Sequence, residues 1–210
     1  MAKVIAMHLG VPWLMHVDRY YHTLKLTSTS RMRPDLIGPD VRRRWLVAEA
    51  KGRTGGSDPA ALARMQLQKR SILRVGRSRP YHSIGSLAYF EDDCLSVRVI
   101  DPDDVERDSV EYPFEIDRFI WAYYQPFVQW FAGLEPTRAG QVTLRLAEID
   151  ANLTVSTELL AIAQRRDNYE DIADSVAAIA SRPEDLEGRY GDGLRIELGA
   201  AWEPATRRLG

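Results

Sequence analysis

The chain predicts an α/β fold, a mixed β-sheet core flanked by helices, with a helix-rich C-terminal extension. Three observations lead there. Trp45-Leu46-Val47-Ala48-Glu49-Ala50-Lys51-Gly52 opens apolar and β-prone, as a buried strand does. Leu95, Val97 and Val99 alternate with Ser96 and Arg98, the pattern of an antiparallel strand. Between these strands lies a helix-patterned stretch long enough for a crossover, which lets the strands on either side of it run parallel. Strand, strand, helix, strand, strand then makes a mixed sheet with a helix on its face.

Taken in order, residues 2–9 read as a short helix stopped at Gly10, and Leu14-Met15-His16-Val17 as extended chain. Residues 19–28, with Leu24 and Leu26 alternating, read as another strand or an irregular lead-in. Pro34-Asp35-Leu36-Ile37-Gly38 is a short strand, and the polar, punctuated Pro39 to Arg44 joins it to the 45–52 strand as a hairpin. Gly52 ends that strand and admits close approach of backbone or ligand. Ser57 or Asp58 caps a helix expected over 59–75, with Pro59 at its first turn and Leu62, Met65, Lys69, Ile72 and Leu73 as its inner stripe. Arg74, Arg77 and Arg79 close it. Ile84 to Phe90 is the next strand, with a turn at Glu91-Asp92-Asp93, and Asp101-Pro102-Asp103-Asp104 is a surface loop.

Residues 113–132 carry Phe114, Phe119, Ile120, Tyr123, Tyr124, Phe127, Trp130 and Phe131 at roughly helical spacing. Pro126 is expected to kink or divide that helix and Gly133 to end it. So much aromatic area serves as core, as a homodimer or partner-protein surface, or as a stacking platform for bases. Val142 to Leu146 reads as a strand, Thr157 to Arg166 and Tyr169 to Ser181 as helices, and Leu194 to Leu198 as a last strand. No linker stands out. The expected division is an α/β core over residues 1–136 and a C-terminal extension over 137–210 packed on it.

Bulk properties bound the function. The 210 residues are 45% apolar and 28% charged, ordinary for a globular protein. No apolar run approaches membrane-spanning length, and Met1 to Met7 lacks a signal-peptide pattern because His8 and Gly10 interrupt it. The single cysteine, Cys94, excludes an internal disulfide and fits the reducing cytoplasm. No Cys/His cluster points to zinc, and no nucleotide-binding glycine loop or nucleophile elbow is present. His8, His16 and His22 are scattered. The net charge of −2 conceals an asymmetry. Residues 31–80 hold thirteen Lys and Arg against four Asp and Glu, a local +9, and the rest holds fifteen against twenty-six, or −11. A basic segment around a candidate site suits a nucleic-acid substrate.

That candidate site is built on the 34–52 hairpin. Side chains alternate along a strand, so Glu49 and Lys51 share a face. Folding the hairpin brings Asp35 beside Glu49. Two carboxylates and a lysine at one sheet edge suit a hard divalent cation such as Mg²⁺, which keeps waters for chemistry.

Pro34-Asp35 followed by Glu49-Ala50-Lys51 resembles the PD-(D/E)xK signature of the restriction-endonuclease-like nuclease superfamily, over residues from about 20 to 100. The resemblance implies that Asp35 and Glu49 are metal ligands for Mg²⁺ or Mn²⁺ and that Lys51 positions or activates the attacking water. It also implies a restriction-endonuclease-like α/β core and a DNA substrate, with prokaryotic defence or repair as the setting. In some branches a glutamine on the helix after the second strand borders the site, a place for Gln66 or Gln68. Active members often carry a further acid on a helix before the first strand. Residues 1–14 hold no Asp or Glu, and Asp18 is the substitute at hand. Arg53, Lys69, Arg70 and Arg74 are expected to hold the phosphate backbone, with Gln66 among the nucleic-acid contacts. The expectation is therefore a metal-dependent endodeoxyribonuclease; the alternative is an inactive nuclease-fold scaffold or DNA-binding subunit of a larger complex.

Overall fold

A computed structural model describes residues 2–20, 34–54, 59–60, 63, 72–91, 94–100, 110–137, 139–165, 170–182 and 190–202. The chain groups into two compact units, Met1–Ala122 and Tyr123–Gly210.

The first unit is built on a five-stranded mixed sheet. After helix α1 (Ala2–His8) come β1 (Met15–His16), β2 (Leu36–Pro39), β3 (Trp45–Gly52), β4 (Ile72–Val75), β5 (His82–Glu91), β6 (Cys94–Ile100) and β7 (Val110–Tyr112). The sheet order is β1-β2-β3-β5-β6. β3 runs antiparallel to β2 and parallel to β5, and β5 runs antiparallel to β6. The expected hairpin, crossover and second hairpin are thus all present.

β3 lies at the centre because its sequence lets both its faces be covered. Leu46 and Ala48 join Ile84, Ala6 and Val11 in one buried cluster, with Ile5 and Leu9 packed against it. Trp45 points the other way, its ring 5.0 Å from Phe119 and 6.0 Å from Phe114. Gly38 allows the close approach on the β2 side: a Cβ there would fall 2.0 Å from the Trp13 carbonyl oxygen.

The 59–75 helix is corrected at its end. Pro59, Ala60 and Ala63 are helical, but Ile72–Val75 is strand β4, pairing in parallel with β7. A short apolar run fits either period, and Ile72 and Val75 are β-branched. Tertiary pairing decides: Gly76 follows with φ +61°, donates its N–H to the Tyr112 carbonyl, and turns the chain out of any helix.

Helix α2 (Ile116–Trp130) contains the division between the two units. It is not divided at Pro126, although proline cannot donate to the Ala122 carbonyl. Phe119, Ile120 and Tyr124 are fully buried, so this part of the aromatic run is core; Trp130 is exposed. The chain leaves the helix through a turn at Gly133, φ +80°.

The second unit has a three-stranded antiparallel sheet ordered β10-β9-β8, from β8 (Gln141–Leu146), β9 (Ala151–Ser156) and β10 (Arg195–Leu198). Helices α3 (Thr157–Ala163) and α4 (Ile172–Ala180) follow β9. Ser156 caps α3, its hydroxyl accepting the Leu159 N–H at 3.2 Å. Buried Asp192 accepts the Tyr123 hydroxyl at 2.5 Å, and its own carbonyl accepts the Tyr124 hydroxyl.

Candidate metal centre

The β2–β3 register sets the site. Leu36 pairs with Ala48 and Ile37 with Val47, so one step further out Asp35 lies opposite Glu49. Directly opposed residues on antiparallel strands share a face, and like charges so placed repel. Two cross-strand acids at this point therefore call for a compensating cation.

Lys51 supplies one. Its Nζ donates to Glu49 Oε1 at 2.7 Å. The other Glu49 oxygen, Oε2, accepts the main-chain N–H of Asp35 at 3.1 Å. Reciprocally, Asp35 Oδ2 accepts the main-chain N–H of Ala50 at 3.1 Å. Each acid is thus held by a backbone amide of the opposing strand. Glu49 is fully buried, while the Lys51 side chain keeps 31% exposure.

Burial pushes the Glu49 carboxyl above the ordinary carboxylate range, and the charge of Asp35 adds to the rise. The hydrogen bond and charge of Lys51 and the Asp35 N–H oppose it without cancelling it. A divalent cation between the acids would remove this strain. Two carboxylates fit Mg²⁺ or Mn²⁺, which bind through one or two carboxylates and complete their coordination with water and substrate phosphate. Among the described residues no group of three or more His, Cys, Asp or Glu is arranged to hold a metal ion.

Asp18 follows a residue bonded to this hairpin: the N–H of Val17 donates to the Asp35 carbonyl at 2.9 Å. Asp18 itself is exposed and completes no such group. Arg53 follows β3 directly and is exposed, its N–H continuing the ladder to the Ala88 carbonyl at 2.9 Å. Arg74 is exposed on β4, away from the helical setting expected for it. Gln66, Gln68, Lys69 and Arg70 lie outside the described residues. Gly52 ends β3, and a Cβ there would meet nothing within 4 Å, so no described part of the chain requires glycine.

One residue that matters locally is absent from the sequence reading. Asp40 is 5% exposed and anchors the β2–β3 connection, its Oδ1 accepting the N–H groups of Arg42 and Arg44 at 2.9 and 2.7 Å. The signal was there: an aspartate after Pro39 accepting from the residue two positions on is an Asx-turn.

No family model, no curated protein and no solved structure matches the chain, so the reading of this site rests on its own geometry.

Proposed function

We propose that the chain is a metal-dependent deoxyribonuclease of the restriction-endonuclease-like kind, hydrolysing phosphodiester bonds. The observation that carries the reading is the opposed pair Asp35 and Glu49 with Lys51 Nζ 2.7 Å from the Glu49 carboxylate. Asp35 and Glu49 would hold a Mg²⁺ or Mn²⁺ ion, which would supply positive charge against the scissile phosphate and an acidified water. Asp35 and Glu49 offer hard oxygen donors whose positions the backbone amides fix. Lys51, partly exposed, orients the attacking water and donates to charge developing on the phosphoryl oxygens. The basic surroundings favour a polyanionic substrate.

The second reading is a scaffold or DNA-binding subunit that keeps the hairpin without the chemistry. It is favoured by Glu49 already accepting from both Lys51 and Asp35, with no third acid grouped beside it among the described residues. Plasmid nicking separates the two. Purified protein is expected to nick supercoiled plasmid with Mg²⁺ or Mn²⁺, to stop with EDTA, and to lose the activity on Glu49→Ala. Nicking by the Glu49→Ala protein at the wild-type rate would remove this site from the reaction, and its absence in wild type under every metal would favour the scaffold.

A further inference from the structure

At the opposite end of β3 from the carboxylates, two turns meet. One is the 40–44 connection; the other, 76–81, leads into β5. They are joined by the Tyr81 N–H, which donates to the Trp45 carbonyl at 2.7 Å, and by the Arg44 guanidinium, which lies 3.6 Å from the Tyr81 ring centroid. Together they carry Arg42, Arg43, Arg44, Arg77 and Arg79, and their one acid is Asp40. Asp40 is buried and bound to Arg44 Nε at 2.8 Å, so it does little to mask the others.

Both turns are tied by hydrogen bonds of their own. Three donors converge on the Asp40 carboxylate, and the Arg43 N–H closes the turn on the Asp40 carbonyl at 2.9 Å. Val75 and Ser78 exchange two main-chain hydrogen bonds, at 2.9 and 3.2 Å. The Gly76 backbone sits so close to the Phe114 carbonyl that a Cβ would come within 2.7 Å. Arg42, Arg43, Arg77 and Arg79 project from these supports exposed, and Tyr81 is 55% exposed. A pre-set array loses less freedom on binding than flexible chain does.

We propose that these two turns form a nucleic-acid contact surface, with Arg42, Arg43, Arg77 and Arg79 on backbone phosphates and the exposed part of the Tyr81 ring available to an unpaired base. Guanidinium pairs with phosphate through two parallel hydrogen bonds, and all five cations here are arginine. The Tyr81–Arg44 stack adds a flat surface, which a base uses and a carboxylate-bearing partner does not. The surface lies apart from the acids: Glu49 is four steps along β3 from Trp45, about 13 Å at about 3.3 Å per residue. It needs no metal and no catalysis, so it stands whether or not the nuclease reading does.

The test is fluorescence polarisation with a fluorescein-labelled 20-nucleotide single strand and the matching duplex, in EDTA, over a salt series. Replacing Arg42, Arg77 and Arg79 together by alanine is expected to weaken both by at least tenfold. The log–log salt slope should become shallower, by up to about 0.9 per arginine on duplex and about 0.7 on single strand. The matching triple lysine variant should keep most of the slope, and Tyr81→Ala should weaken the single strand more than the duplex. Unchanged affinity in the alanine variant overturns the proposal. So does equal loss in the lysine variant, or binding of phosphatidylserine vesicles with no binding of either oligonucleotide. Binding that depends on the arginines in a protein that never nicks plasmid supports this surface while rejecting the nuclease reading.

Discussion

Lys51→Met isolates the electrostatics of the candidate metal centre. The wild-type pair joins a fully buried carboxylate to an ammonium 2.7 Å away that is 31% exposed. Breaking a fully buried pair costs about 3–5 kcal/mol, because a charge is left without its partner. Water reaches Lys51, so the figure here should fall to about 1–3 kcal/mol at pH 7. The pH dependence follows from Glu49, whose carboxyl is already raised by burial. A carboxyl raised in the folded state favours its neutral form there. The Glu49 contribution to stability is therefore fully present below the unfolded value of 4.5 and is lost as pH climbs through the folded one. Removing Lys51 raises Glu49 further, so the Lys51→Met penalty should be small near pH 4 and grow toward pH 7. Adding Glu49→Gln removes the titrating charge while keeping an acceptor for the Asp35 N–H. At pH 7 the double variant should be less than additively destabilised, with a coupling of about 1–2 kcal/mol. Urea unfolding followed by far-UV circular dichroism in EDTA reads all four proteins at both pH values. A Lys51→Met penalty that is the same at both pH values and untouched by Glu49→Gln would refute the reasoning.

Two further outcomes test the frame that carries the site. Leu46→Ala truncates a side chain 1% exposed at the centre of the sheet and should cost about 2–5 kcal/mol in urea unfolding; under about 1 kcal/mol would mean β3 is not central. Gly38→Ala forces a Cβ against the Trp13 carbonyl, which is backbone of the segment leading into β1 and must shift, so it should cost about 1–3 kcal/mol by the same measurement. A Gly38→Ala protein as stable as wild type would show that the segment at Trp13 moves away from β2 at no cost.

The hairpin was legible because its signals agree. An apolar β-prone run, a punctuated polar connection and a second short apolar stretch fix the pairing, and the register then places Asp35 opposite Glu49. β5 and β6 were legible from the alternation of Leu95, Val97 and Val99. β4 was hidden because Ile72 and Leu73 continue a helical stripe on paper, and only pairing with the distant β7 makes that segment extended. β9 was missed because Ala151 and Asn152 are poor strand formers, while its position between β8 and β10 buries Leu153 and Val155. The site's acids were readable by spacing, but their mutual backbone hydrogen bonds were not, since those depend on register to the residue. The arginines around Tyr81 were counted in the basic segment, yet their convergence is produced by two turns more than thirty residues apart in the chain.

The reciprocal clamp at Asp35 and Glu49 bears on how this hairpin can evolve. Its donors are the amides of Asp35 and Ala50, groups that nearly every substitution leaves in place. Only the acceptors are encoded by side chains, and a side-chain amide oxygen can also accept, though less strongly than a carboxylate. Under selection for folding alone, Asn at 35 and Gln at 49 would close the hairpin and abolish the repulsion between opposed charges. The chain nonetheless carries two acids facing each other, one of them fully buried, where desolvation opposes its ionisation. What favours acids here is positive charge beside them, and the Lys51 ammonium, 2.7 Å from the Glu49 carboxylate, supplies part of it within the chain.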